Sequence, residues 1–228
     1  VTALYAGAQF HAYDAGCATW LGFSASEKIH FNVPVGKPAI GDLAICNALA
    51  NATYLINMPI MKKHGMAGVT LGFKNHFGSF DACDQVHWSV NPGGGAYVPT
   101  YNGMIDVYAN PHFGGKTVLT VGDGLYGARI DNYSEIPSPW SSFGNESPNS
   151  LFFSTDPVAI DCVMYDHLKA EGGLAAGSDD YLVLANASGL GTFEHRDGAH
   201  QYHIIDYLRI EVSLTLPYRT YLPSVRRD

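Results

Sequence analysis

The chain has 228 residues, 46% of them hydrophobic and 15% charged, which is the composition of a folded globular protein and excludes a disordered one. Its net charge of −8 excludes general nucleic-acid binding, because phosphate contacts need a basic surface, although a small anion can still bind a local group of basic residues. No apolar run approaches the roughly 20 residues of a membrane-spanning helix, so we expect no transmembrane segment.

The cysteines are far apart in the sequence and include no close pair: Cys17, Cys46, Cys83 and Cys162. Zinc knuckles and ferredoxin-type clusters use closely spaced cysteines, so we do not expect an iron–sulfur cluster in this chain. The four residues either form two disulfides or act as small core hydrophobes. Because the chain is rich in Tyr, Gly, Asn and Ser and poor in Lys, we expect an extracytoplasmic (periplasmic or secreted) protein.

The first third of the chain contains two predicted strands separated by a predicted helix. Alternation over residues 28–35 predicts a strand, and apolar spacing over 41–50 predicts a short helix. A second strand is predicted over 53–57. A loop over 58–65 follows it, and the spacing over 66–77 then predicts a helix packed closely on a sheet.

The middle of the chain contains the clearest strand signal, over residues 116–121. It follows an irregular stretch over 81–100 and a short predicted helix over 104–108. The segment Gly122-Asp123-Gly124 predicts a turn that ends the strand. Residues 125–150, rich in Pro, Ser and Asn, predict a long surface loop of the kind that is often functional.

The last third begins with a strong helix start, because Asp156 can cap the free amides and Pro157 suits the first helical position. Gly172-Gly173 should end this helix. Residues 181–185 are apolar enough for either a strand or a helix. Residues 203–212 predict a further strand, and the remainder, 213–228, predicts an extended tail.

Together these elements predict an α/β fold, with a largely parallel sheet flanked by helices in a single domain over residues 1–212. Ligands of such sheets bind beyond the carboxyl ends of the strands. The Lys62–His64 loop and the Gly122–Gly124 turn each follow a predicted strand, so we expect them to share one edge of the sheet. That shared edge is the predicted site.

Three residues of this edge are candidate catalytic groups. His64 either transfers a proton, binds a metal or only hydrogen-bonds a backbone carbonyl. Lys63, next to it, would bind an anion or remain a solvated charge. Asp123 would orient a substrate or hold a metal, and its alternative is ordinary turn chemistry.

Four further residues are candidate ligand-binding groups: Lys74, Asn75, Asn57 and Asp161. An unpaired ammonium group is costly to bury, so Lys74 in its apolar segment must reach solvent, pair with a carboxylate or face a polar cavity. Asn75 either assists Lys74 or caps a helix end. Asp161 lies about one turn beyond the helix start and can face the edge of the sheet.

Five short motifs occur in a fixed order along the chain. They are Asn57-x-Pro59-x-x-Lys62-Lys63-His64-Gly65, Gly68-Val69-Thr70, Lys74-Asn75-x-Phe77-Gly78, Val121-Gly122-Asp123-Gly124 and Asp156-Pro157-Val158-Ala159-x-Asp161. In these motifs, over roughly residues 40 to 195, the chain resembles the DUF362 family of uncharacterised proteins. The resemblance implies an α/β fold and a ligand site near the Lys-His and Lys-Asn elements, without a settled reaction.

The chain departs from this family in two respects. Some members carry a ferredoxin-like cluster, whose closely spaced cysteines are absent here. Members also usually begin with a further strand–helix portion, so we expect the chain to lack an N-terminal portion of the family fold.

Two functions are consistent with the sequence. The first is a small-molecule enzyme that binds an anionic substrate, a metal or a cofactor at the Lys-His and Lys-Asn motifs, in a metal-binding or redox context. The alternative is a non-catalytic binding or assembly subunit of an extracytoplasmic complex, with a protein partner or a homo-oligomeric arrangement. An enzyme should bring Lys63, His64, Lys74 and Asp123 to one pocket, whereas a scaffold should disperse them or bind them to backbone groups.

Overall fold

The computed structural model describes residues 22–128 and 139–212. The strands are β1 Phe23–Ile29, β2 Leu43–Cys46, β3 Leu55–Asn57, β4 Ile60–His64, β5 Gly68–Thr70, β6 Thr117–Ala128 and β7 Ser150–Ser154. The α-helices are α1 Asn47–Asn51, α2 Gly103–Ala109, α3 Pro157–Ala170 and α4 Asp180–Ala187. Short 3₁₀ segments are present at Lys74–His76, Cys83–Val90 and Ser141–Phe143.

The main sheet is built around β6. β3 and β4 lie one after the other along one side of it and run parallel to it, while β7 pairs antiparallel along the other side. β5 extends the sheet beyond β4 as an antiparallel edge. With α3 packed on this sheet, the prediction of a single α/β domain with a largely parallel sheet flanked by helices is confirmed.

The segment Gly122-Asp123-Gly124 is not a turn, because β6 continues through it to Ala128. A Cβ added at Gly122 would lie 2.4 Å from Sδ of Met164 in α3, and one at Gly124 would lie 2.8 Å from the ring of Phe152 in β7. These glycines therefore leave room for Met164 and Phe152 to pack against β6, and they do not form a turn.

The segment after β3 also differs from its prediction. The expected loop over 58–65 contains β4, and the expected helix over 66–77 is β5 followed by the Lys74–His76 turn. β4 and β5 form a hairpin in which His64 lies opposite Gly68. The two glycines at 68 and 72, which weaken a helix, here allow close backbone packing instead.

Other elements agree with the sequence to differing degrees. The strand predicted over 53–57, the helix predicted over 104–108 and the capped helix that begins after Asp156 are confirmed. Residues 181–185 lie in a helix, α4. The strand expected over 28–35 is displaced to β1, the helix expected over 41–50 begins as β2, and residues 203–212 form no strand.

Two apolar cores support these elements. The larger one lies between the main sheet and α3 and includes Met61, Trp140, Met164 and Leu168. The smaller one lies beneath the β1–β2 hairpin, around Ile29, Ile45, Phe80, Val107 and Phe113.

The cysteines follow neither of the two expected patterns completely. Cys46 is disulfide-bonded, whereas Cys83 and Cys162 are free thiols. Predictions that concern Cys17, the tail over 213–228 and the part of the 125–150 loop between 129 and 138 lie outside the described residues. Within the described ranges, no helix is long and apolar enough to cross a membrane.

Candidate functional site

Lys63 and His64 are bound to backbone groups at the end of β4. The Nζ atom of Lys63 donates a hydrogen bond to the carbonyl oxygen of Gly172, just beyond the end of α3. The Nδ1 atom of His64 accepts from the amides of Met66 and Ala67, both at 3.2 Å, so the imidazole stabilises the turn between β4 and β5.

Asp123 lies apart from these two residues. It occupies the middle of β6, opposite Ile60 of β4 and Leu151 of β7, and its Oδ1 accepts from the amide of Leu125 at 3.0 Å. Lys62 instead lies opposite Ala128, five residues further along β6. The Lys-His and Gly-Asp-Gly motifs are therefore on neighbouring strands but do not converge.

The predicted ligand-binding residues do come together, in a buried polar network at the end of β3. The side chain of Asn57 donates to the carbonyl oxygen of Gly72 at 2.9 Å and accepts from the side-chain amide of Asn75 at 2.7 Å. Asn57 is 3% exposed, so these bonds satisfy an amide that would otherwise be costly to bury. The network joins β3 to the Lys74–His76 turn.

Asp161 completes this network from α3. Its carboxylate accepts from the amides of Gly72 and Phe73, at 2.8 and 3.2 Å, and from the hydroxyl of Tyr181 at 3.0 Å. Complete burial raises the pKa of Asp161 to about 7, while these three hydrogen bonds act in the opposite direction. All three partners are donors, which favour the ionised carboxylate, but burial outweighs them in the net pKa. The same hydrogen bonds fix the backbone that leads into Lys74.

Lys74 follows directly after Phe73, at the start of the Lys74–His76 turn. Its side chain is only 8% exposed, and its Nζ atom lies 4.6 Å from the ring centre of Phe77, within the range of a cation–π contact. The ring of His87 lies 5.7 Å from the same Phe77 ring. Lys74 thus belongs to a second group of residues that surrounds one aromatic ring.

Two titratable residues of this group, His87 and Cys83, were missed by the sequence-based prediction. Burial and the nearby charge of Lys74 lower the pKa of His87, whereas burial and Asp84 raise the pKa of the Cys83 thiol. Both residues lie in the 3₁₀ segment Cys83–Val90, within the stretch that the sequence predicts as irregular. Neither has a spacing motif that could have identified it.

A cleft of about 290 Å³ lies between the end of α2 and the start of α3. Tyr108, Gly114, Thr117, Thr155 and Leu190 are among the residues that line it. None of the seven predicted site residues lines this cleft. In the part of the chain that the structure describes, no group of three or more His, Cys, Asp or Glu residues is arranged to hold a metal ion.

Comparison with known proteins identifies a family and nothing more specific. No curated protein and no solved structure matches the chain. A family model described as a domain of unknown function, DUF362, matches residues 2–166, a range that begins and ends earlier than the roughly 40 to 195 expected from the motifs. Because this match covers most of the 228 residues, the chain belongs to the DUF362 family.

Proposed function

We propose that the chain binds a small anionic molecule, a carboxylate or a phosphate, at Lys74. The observation that carries this proposal is the nearly buried Lys74 beside His87 and Cys83, on a turn whose backbone Asp161 and Asn57 hold by hydrogen bonds. An ammonium group has three donors and can bind more than one acceptor at a time. A cation shielded from water attracts an anion more strongly than an exposed one does.

The same group of residues supports an enzymatic role for this site. A lowered pKa keeps the imidazole of His87 neutral at neutral pH, and a neutral imidazole can accept a proton from a bound substrate. His87 therefore takes the proton-transfer role that the sequence assigns to His64. The proposed activity is a proton transfer on a small anionic substrate.

The experiment is isothermal titration calorimetry, in which the purified full-length chain is titrated with inorganic phosphate and, separately, with acetate. In Lys74→Met the aliphatic stem can still cover Phe77 but the charge is lost, so we expect affinity to fall by about 10-fold or more. Lys28→Ala removes an exposed lysine on β1 and should leave affinity unchanged.

Native mass spectrometry with metal analysis of the same preparations tests the proposal independently. A co-purified small molecule that is present in the wild type and lost in Lys74→Met would support it. Equal anion affinity in the wild type and Lys74→Met, together with a bare mass for both, would overturn it.

A second function, non-catalytic assembly in a larger complex, is favoured by a different observation. Lys63 and His64 bind backbone groups, as expected for structural rather than catalytic residues. Under this function the motifs hold the fold together, and partner binding should persist unchanged in Lys74→Met.

We also propose an extracytoplasmic location. The disulfide at Cys46 supports it, because disulfides persist in oxidising compartments and are rare in the cytosol. Alkylation of the chain under denaturing conditions directly after cell lysis is the test. Cys46 should resist labelling while Cys83 and Cys162 react, and labelling of Cys46 to the same extent would contradict the proposal.

A further inference from the structure

One face of the main sheet is apolar and exposed. Side chains alternate along a strand, so every second residue of β3, β6 and β7 points away from α3. On this outer face Ile56, Met58 and Phe153 are 59%, 64% and 63% exposed. The outer face includes eight residues. The strand register places Ile56, Ile60, Leu119, Val121, Asp123, Leu151 and Phe153 side by side, and Met58 lies between β3 and β4.

The inner face of the same sheet is covered. Met61 and Phe152 point inward and are buried, and Met164 of α3 packs against Gly122. Sheets with parallel strands are ordinarily covered on both faces. Among the residues that the structure describes, the outer face remains an unusual expanse of apolar surface for one molecule in water.

We propose that this outer face is the interface with a second copy of the chain, with the two sheets packed face to face about a twofold axis. The inference goes beyond anion binding at Lys74, and it provides the assembly function with a surface and a partner. A twofold arrangement uses the same patch on both copies, so the interface closes and does not form a filament. Two sheets packed in this way lie about 10 Å apart.

The area of the face fits a dimer. If a fully exposed large apolar side chain presents about 175 Å², the five most exposed residues present on the order of 500 Å². A standard-size protein interface buries roughly 800 Å² on each partner, and at the roughly 65% apolar fraction typical of homodimers this is roughly 520 Å² of apolar area. The exposed apolar area is therefore close to what one partner of a standard-size dimer interface contributes.

Asp123 gives the interface a distinctive signature. It is the one carboxylate among the eight residues of the outer face, at the level of Ile60 and Leu151. Dimerisation brings two copies of this charge into a less hydrated environment, which opposes association. Asp123→Asn should therefore tighten a dimer of identical chains, whereas it should weaken binding to a partner that supplies a cation for Asp123.

The experiment is analytical ultracentrifugation of the full chain over a wide concentration range. We expect the wild type to dimerise, and Phe153→Glu and Met58→Glu to raise the dimer dissociation constant by about 100-fold or more, because each buries an unpaired charge. Asp123→Asn should lower it by about 10-fold. Val183→Glu, at an exposed position on α4, is the matched control and should leave it unchanged.

Circular dichroism and thermal unfolding establish whether each variant folds. Two glutamate variants of the outer face are used so that the test remains possible if one of them fails to fold. A wild type that stays monomeric throughout would overturn the inference, as would a dimer that survives both glutamate substitutions or is weakened by Asp123→Asn. Phosphate titration of Phe153→Glu separates the two proposals, since anion binding at Lys74 should persist in the monomer.

Discussion

At the scale of single residues, Gly72 decides the geometry around Lys74. A Cβ at this position would lie 2.8 Å from Oδ1 of Asp161, closer than such atoms approach in proteins. The missing side chain lets the buried carboxylate reach the amides of Gly72 and Phe73. Glycine disfavours the helix that the sequence predicts here, but at position 72 its missing side chain is what allows Asp161 to bind the two backbone amides.

Gly72→Ala should destabilise the protein by about 2–4 kcal/mol, because the buried carboxylate must move and lose hydrogen bonds. Urea unfolding followed by circular dichroism measures this. Gly41→Ala is the control, since a Cβ at Gly41 would meet only Oε1 of Gln85 at 3.8 Å. Equal stability of the two variants would contradict the role assigned to Gly72.

His195 is a second residue whose surroundings determine its chemistry. Its Nδ1 lies 2.7 Å from Oδ1 of Asp166, and its Nε2 lies 3.1 Å from Oδ2 of Asp179. Burial lowers the pKa of His195, but the hydrogen bonds and charges of Asp166 and Asp179 outweigh it and raise the pKa to about 9. With a carboxylate close to each nitrogen, this imidazolium connects the segment after α4 to α3.

The raised pKa predicts how stability depends on pH. The imidazolium contributes fully below the unfolded pKa of 6.5, and its contribution disappears as the pH rises through about 9. The group is partly exposed, so screening limits the contribution to about 1–2 kcal/mol. Denaturant unfolding at a series of pH values should show that the wild type loses this stability as the pH rises through about 9, and that His195→Gln does not.

His203→Gln is the matched control for this prediction. Its Nε2 also lies 3.1 Å from a carboxylate, that of Asp197, but the pair is largely exposed. The pH dependence of this variant should match that of the wild type. An alkaline loss of equal size in His195→Gln would show that the Asp166–His195–Asp179 contact does not stabilise the fold.

At the scale of elements, α3 shows the closest agreement between sequence and structure. Oδ1 of Asp156 accepts from the amides of Val158 and Ala159 at 2.9 Å, and Pro157 occupies the first turn. Oδ2 accepts from the amide of Thr192 at 2.8 Å, so the same side chain also fixes the segment after α4. Only the first of these roles is encoded locally.

Asp156→Ala should therefore lower the free energy of unfolding by about 2 kcal/mol, at the upper end of the range for an N-cap. Thermal or urea unfolding provides the measurement. Asp84→Ala, which removes an exposed aspartate from the Cys83–Val90 segment, should change stability by no more than about 0.5 kcal/mol. A loss of the same small size in Asp156→Ala would contradict the double role.

At the scale of the whole molecule, a disulfide at Cys46 adds a covalent cross-link to the fold. Cys46 ends β2, in the hairpin that covers the smaller core, and it is disulfide-bonded. A disulfide stabilises a fold mainly by restricting the unfolded chain, so reduction should lower the free energy of unfolding by about 2–4 kcal/mol. Unfolding with and without reductant measures this difference.

Two serine variants make this prediction specific. In Cys46→Ser the effect of the reductant should disappear, because no disulfide remains to be reduced. In Cys83→Ser it should persist at the wild-type size, because Cys83 is a free thiol. If the reductant had the same effect in both variants, the stabilisation would not come from Cys46.

The sequence by itself determined the features that depend on neighbouring residues. The cap at Asp156, the strand before Asn57, the helix over 104–108 and the α/β class all follow from local spacing, capping and turn chemistry. The family also follows from short motifs in order. Each of these signals is read from short stretches of sequence and their order along the chain, so no knowledge of distant contacts is needed.

Only the tertiary structure decided what Gly122–Gly124 and Lys62–His64 do. Glycine next to aspartate predicts a turn, but the same glycines allow Met164 and Phe152 to pack beneath a continuous strand, a contact made by residues about 30 to 40 positions away. The grouping of Lys74 with His87 and Cys83, and the exposure of the outer face, likewise depend on long-range packing. The physical reason is that a side chain's role is set by what lies across the fold from it, which the neighbouring sequence does not encode.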